Sequence, residues 1–132
     1  MFCHIGNYEG QRGVGLLIKK EWVQNIRKFK EIPDGLALIK VEVGNNVIKI
    51  VQVYSPTTES EEEAIEDFYI KLGDVLHEQS ANSKKSVIIV GDFNSQIGMG
   101  KIEAKDVVGQ YCYGRRNYRR KVNRILCRKR ID

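Results

Sequence analysis

The segment LALIKVEVGNNVIKIVQVY, residues 36–54, decides the fold because it holds two strand-forming runs joined by a turn. Residues 36–43 and 47–54 are rich in β-branched side chains, and Gly44-Asn45-Asn46 between them suits the positive φ angles of a tight hairpin turn. Both faces of the two predicted strands carry apolar residues, a pattern typical of strands that are covered on each side. The sequence therefore predicts a hairpin at the centre of a sheet.

Further elements are predicted on both sides of this hairpin. They are a short strand at residues 13–18, a turn at Pro33-Asp34-Gly35 and another buried strand at residues 86–90. Between the hairpin and that last strand, Ser60 is predicted as the N-cap of a helix, with Glu63 at the capping-box spacing. One face of this helix carries apolar residues at spacings of three and four, namely Ile65, Phe68, Leu72, Val75 and Leu76.

The order of these elements, β-ββ-α-β, lacks the regular alternation of a doubly wound parallel sheet and favours an α+β layered or sandwich fold. At 132 residues, the chain is long enough for one domain. The acidic run at residues 59–67 is interpreted as the start of the helix rather than as a metal site, since acidic side chains favour the positive end of the helix dipole.

Charge is distributed very unevenly along the chain. The net charge is +5, yet residues 115–132 alone carry nine basic residues and one acidic residue, so the preceding 114 residues have a net charge of −3.

Three scattered cysteines show no metal-binding spacing and favour a reducing, intracellular compartment. Apolar runs are too short to span a membrane, so no membrane is expected among the partners.

Polar residues follow the ends of two predicted strands. Asp92 and Asn94 are two residues apart, so in extended geometry they would point the same way. This pair suits phosphate chemistry, because a carboxylate can bind Mg²⁺ or hold an attacking water and an amide can orient a phosphate oxygen. Tyr54, at the end of the neighbouring strand, can donate a hydrogen bond to a phosphate. The structural alternatives are a turn at Asp92 and Asn94, and a tyrosine that covers the edge of the core.

Two motifs resemble the endonuclease/exonuclease/phosphatase family. They are VQVYSPT at residues 51–57 and VIIVGDFN at residues 87–94, with the acidic helix between them. Within that family, the sequence is most similar to the endonuclease domains of non-LTR retrotransposons and to craniofacial-development-protein-2-like proteins. GVG at residues 13–15 and the loop that ends at Asn117 extend the resemblance to roughly residues 10–119.

The resemblance implies a partial αββα two-layer sandwich at residues 1–119, without the N- and C-terminal strands of the family. It also implies Mg²⁺-dependent hydrolysis of phosphodiester bonds in nucleic acid, with DNA favoured over RNA. Asp92 would hold the metal ion or activate water, Asn94 would bind the scissile phosphate, and Tyr54 would donate a hydrogen bond to it. Substrate contacts are implied for three residues of the matching loop, Arg115, Arg116 and Asn117.

The family's metal-binding Glu and catalytic His have no counterpart, since His4 and His77 match neither role. Asp92 alone would leave an incomplete Mg²⁺ site. The expected function is therefore a fragment of a retrotransposon-derived endonuclease that is inactive or weakly active by itself. Missing outer strands would leave sheet edges open and favour self-association.

The remaining residues, 120–132, are predicted to form a divergent basic tail, with apolar residues at a spacing that also permits a helix. One interpretation is an arm that binds nucleic acid phosphates, which makes the chain a non-catalytic nucleic-acid-binding module. Other interpretations are a membrane-surface helix, a nuclear-import signal or a degenerate terminus. The nuclear-import signal agrees with the expected location of the protein in the nucleus.

Overall fold

The computed structural model describes residues 1–5, 13–57, 59–78 and 85–95 of the chain. In chain order these residues form β1 (Phe2–Ile5), β2 (Val14–Leu17), a 3-10 helix (Lys20–Asn25), β3 (Ile26–Ile32), β4 (Leu36–Val43), β5 (Asn46–Tyr54), α1 (Glu62–His77) and β6 (Lys85–Asp92). The coarse prediction of an α+β fold is confirmed.

A four-stranded mixed sheet in the order β3-β4-β5-β6 forms the centre of the fold. The hairpin predicted from residues 36–54 is confirmed as β4 and β5, which pair antiparallel from Leu36 opposite Val53 to Val43 opposite Asn46. They are the two inner strands, as their apolar faces predicted. After β5 the chain passes through α1 and returns as β6, parallel to β5.

The two faces of this sheet are covered differently. On one face α1 packs its buried stripe against β4 and β5, and the core here contains Ile65, Phe68, Leu72 and Val75 of the helix with Leu36, Leu38, Val51 and Val53 of the sheet. Tyr69, which the stripe did not include, is also buried. On the other face Val14 of β2 packs with Ala37 and Tyr54. β2 pairs antiparallel with β1 to form a separate two-stranded sheet.

Two local predictions need correction. Ser60 does not cap α1, because the helix begins at Glu62 and its N-cap position is Glu61. Ser60 lies in a preceding turn, where its amide donates to the Thr57 carbonyl (3.1 Å). The strand at residues 86–90 exists but is not buried, since Ile88 and Val90 are 45% and 38% exposed. Within the described residues, β6 lies at an edge of the sheet, which explains this exposure.

The strands β1 and β3 were not predicted. β3 bears charged side chains on both faces, because it forms the other edge of the described sheet, and so it lacks the alternating pattern of a half-buried strand. Among the described residues, no helix is long and apolar enough to cross a membrane.

Candidate active site at the ends of β5 and β6

The parallel pairing of β5 and β6 brings two of the predicted site residues together. Tyr54, the last residue of β5, lies opposite Asp92, the last residue of β6. The ladder continues one residue further, where the Ser55 amide donates to the Asp92 carbonyl oxygen (2.8 Å). The prediction that Tyr54 and Asp92 end adjacent strands is therefore confirmed.

Two glycines with positive φ hold the backbone on either side of this pair. At Gly91 (φ +136°), a Cβ atom would lie 1.9 Å from the Val53 carbonyl oxygen. At Gly35 (φ +85°), it would lie 2.4 Å from the Tyr54 carbonyl oxygen, while the Tyr54 amide donates to the Gly35 carbonyl (2.8 Å). Because no larger residue fits at either position, β5 is held closely between the two glycines where the site begins.

Asn94 does not have the extended geometry that the sequence suggested. Its φ is +45°, because the strand ends at Asp92 and the chain turns there. The Asn94 amide donates to Asp92 Oδ1 (2.7 Å), which forms an Asx-type turn. Its side-chain Nδ2 donates to the Ser55 carbonyl oxygen (2.6 Å) on the neighbouring segment. Asn94 therefore ties the loop after β6 to the end of β5.

Ser55 is a residue of this site that the sequence reasoning missed. It is fully buried, its carbonyl accepts from Asn94, its amide donates to Asp92, and its hydroxyl donates weakly to the Pro56 carbonyl (3.4 Å). The sequence feature that could have indicated Ser55 is a small residue between Tyr54 and a proline. A small side chain is required there if the loop after β6 is to approach the backbone at the end of β5.

The chemical groups at this end of the sheet differ in how accessible they are. Asp92 is exposed, Asn94 is half-buried, and Tyr54 is half-buried with its side chain packed beside Val14. Asp92 Oδ1 accepts the Asn94 amide, so the carboxylate is fixed in orientation while it faces solvent. Such a carboxylate can hold a water molecule or contribute one oxygen to a cation.

A magnesium ion at this site would need more oxygen ligands than Asp92 supplies. No group of three or more His, Cys, Asp or Glu side chains within the described residues is placed to hold a metal ion, and Asp92 is one carboxylate. Mg²⁺ prefers six oxygen ligands in near-octahedral geometry. His77 is exposed in the last turn of α1, as expected for a helix surface residue. The predicted contacts Arg115, Arg116 and Asn117 lie outside the described residues.

Comparison of the chain with protein-family models, with curated proteins and with solved structures gives no match.

Proposed function

We propose that this chain is the phosphate-binding portion of a Mg²⁺-dependent nucleic-acid phosphodiesterase, and that it is inactive or weakly active by itself. The observation that carries the proposal is the parallel register that sets Tyr54 opposite Asp92, with Asn94 bound to both strand ends. These are the three residues that the resemblance to the endonuclease/exonuclease/phosphatase family identifies as catalytic, in two segments 38 residues apart.

The geometry favours a different role for each of the three residues. Asp92, exposed and held by the turn, is suited to orient a water molecule against a phosphorus atom. The Tyr54 hydroxyl is suited to donate to a phosphate oxygen. Asn94 uses its amide nitrogen to bind the Ser55 carbonyl, so we assign it first a positioning role, which keeps the Asp92 carboxylate at the strand end.

The proposed weak hydrolytic activity follows from the small number of side chains that could bind Mg²⁺. Asp92 would supply one oxygen ligand to Mg²⁺, and the ion would stabilise the negative charge that develops on the phosphate. Because the described residues form no group of three or more His, Cys, Asp or Glu side chains that could hold a metal ion, we expect the site to bind Mg²⁺ weakly.

For the fold, we propose a partial αββα sandwich. The arrangement that supports it is the two-stranded sheet of β1 and β2 on the face of the main sheet opposite α1. The helix and the two sheets thus give three consecutive layers of such a sandwich.

The test is nicking of supercoiled plasmid in the presence of Mg²⁺ by the full chain and by Asp92→Asn. This variant keeps a side-chain oxygen for the turn with Asn94 but loses the negative charge, so it separates catalysis from folding. We expect slow nicking that Mg²⁺ supports and that Asp92→Asn abolishes. Rapid nicking would contradict the weak activity, and equal nicking by the variant would contradict the role of Asp92.

A second candidate is a non-catalytic nucleic-acid-binding module. The observation in its favour is the net charge of +8 in residues 115–132. It predicts binding that weakens steeply with salt, survives Asp92→Asn and disappears when residues 115–132 are deleted. Retained affinity after the deletion would reject it.

We also propose that two copies of the chain associate through β6. The described part of the sheet has a charged edge at β3 and an edge at β6 with an apolar middle, where Ile88 and Val90 are exposed.

A further inference from the structure

Three lysines occupy neighbouring positions on three strands. Lys28 of β3 pairs with Lys40 of β4, and Lys40 pairs with Lys49 of β5. Paired residues point to the same face of a sheet, and here it is the face that α1 covers, because the Lys49 ammonium donates to the carbonyls of Val75 (3.1 Å) and Glu78 (2.9 Å). Like charges directly opposite each other destabilise a sheet, so this row requires negative charge close by.

Glu78, the residue after α1, supplies part of that negative charge. Its carboxylate lies 2.7 Å from the Lys28 ammonium and 3.7 Å from the ammonium of Lys30, which lies two residues further along β3. One carboxylate thus binds two ammonium groups at once. We call Lys28, Lys30, Lys40 and Lys49 the lysine cluster.

Counted over the described residues, the lysine cluster retains a surplus of positive charge. The C-terminal end of a helix is equivalent to about half a negative charge. Asp74 lies on the last turns of α1. The helix end and the carboxylates of Glu78 and Asp74 together amount to about two and a half negative charges, against the four ammonium groups of the cluster. Lys49 is buried and binds the helix end, so the surplus belongs to Lys28, Lys30 and Lys40.

A groove beside the lysine cluster gives a ligand access to Lys30. It has a volume of about 580 Å³ and lies between β3 and the C-terminal half of α1, and its charged lining residues are Lys30, Glu31, Lys71, Asp74 and Glu78. The side chains of Lys28 and Lys30 are 42% and 48% exposed. Their Cα atoms, two residues apart on a strand, are separated by about 6.6 Å, which is comparable with the spacing of neighbouring phosphates in an extended nucleic-acid strand.

We infer that Lys28, Lys30 and Lys40 form a second phosphate-binding surface, which takes the backbone of a nucleic-acid strand, and that the Glu78 carboxylate occupies a phosphate position in the free protein. The surface is separate from the site at Tyr54, because its lysines lie on the face of the sheet that α1 covers, whereas Tyr54 packs with Val14 on the opposite face. A bound phosphate displaces Glu78 from the two lysines.

The experiment measures the affinity of the full chain for a fluorescent oligo-dT strand as a function of salt concentration. Replacement of both Lys28 and Lys30 by Gln removes two contacts, so we expect a several-fold loss of affinity and a salt slope that is lower by about 1.4. Glu78→Gln removes the internal competitor, and we expect a several-fold gain. The matched control is Glu63→Gln, which changes the charge equally in the first turn of α1, about 22 Å away along the helix.

Three results would overturn the inference. Equal gains in Glu78→Gln and Glu63→Gln would mean that only net charge matters. A salt slope that is unchanged in the double Gln variant, with circular dichroism showing it folded, would limit the lysines to a structural role at the helix end. Equal affinity for poly-glutamate of matched length would indicate an acidic peptide as the partner. Loss of nicking in Asp92→Asn and loss of oligo-dT binding in the double Gln variant report on the two sites separately.

Discussion

Gly91 approaches Val53 so closely that a Cβ atom at residue 91 would lie 1.9 Å from the Val53 carbonyl oxygen. Its φ of +136° is also a conformation that other residues rarely adopt. We therefore expect Gly91→Ala to separate β6 from β5 locally and to lower the free energy of unfolding by about 3 kcal/mol or more. Urea denaturation followed by circular dichroism measures this loss.

Gly73 provides the control for that prediction. It lies in the interior of α1, and a Cβ atom there would meet nothing within 4 Å. Because alanine is favoured over glycine inside a helix, Gly73→Ala should stabilise the fold by about 0.5–1 kcal/mol. Equal stabilities of Gly91→Ala and Gly73→Ala would contradict the close approach of β6 to β5.

The parts of the fold that the sequence predicts well are those with strong periodic patterns. The hairpin at residues 36–54 follows from two apolar runs around a turn, and the buried stripe of α1 follows from its spacing of three and four. β3 was missed because an edge strand with Arg27, Lys28 and Lys30 has no apolar face to detect. The cap at Ser60 was wrong because α1 begins at Glu62, one residue too late for Ser60 to be its N-cap, and Ser60 belongs to the preceding turn with Thr57.

For the candidate site, the sequence predicts which side chains meet but not how the backbone holds them. That Tyr54 and Asp92 end adjacent strands follows from strand order. The positive φ of Asn94 could not be predicted from its position in the sequence. Extended geometry at Asn94 would require β6 to continue to residue 94, but the strand ends at Asp92. The roles of Gly35 and Gly91 depend on contacts with β5 that are distant in sequence.

Lys49 is expected to stabilise the packing of α1 on the sheet. Its buried ammonium donates to the carbonyls of Val75 and Glu78, which lie at the helix end where intrahelical partners are missing. Lys49→Met keeps the apolar chain but removes the donor, so we expect a loss of about 1–3 kcal/mol in the free energy of unfolding. Thermal melting measures it. The control is Lys20→Met on the exposed 3-10 helix, and an equal effect there would contradict this role.

Glu78 is expected to make stability depend on pH. The hydrogen bond from Lys28 holds the pKa of Glu78 below its ordinary value of 4.5; desolvation opposes this shift, and the charges of Lys28, Lys30 and Lys40 add to it. Because the pKa is lowered in the folded protein, this contribution is complete above about pH 4.5 and is lost as the pH falls through the folded pKa. Exposed ion pairs of this kind contribute up to about 1 kcal/mol.

The measurement is thermal melting of the full chain and of Glu78→Gln between about pH 6 and pH 3. The difference in stability between the two proteins should be constant above about pH 5 and should shrink below it. Added salt should reduce the difference at neutral pH, since the pair is partly exposed. A difference that grew on acidification would show that the carboxylate is stabilised in its protonated form, contrary to the position of the lysines.

Association through β6 is expected to depend on its exposed apolar side chains. Ile88→Lys places a charge on the edge strand, where lysine opposes pairing with another strand. Sedimentation velocity should then show monomers at concentrations where the natural chain forms dimers. Phe29→Lys is the control, because Phe29 is similarly exposed (39%) on the opposite edge strand, β3, and should leave the dimer intact. Dimers that survive Ile88→Lys, or that dissociate equally in both variants, would exclude β6 as the interface.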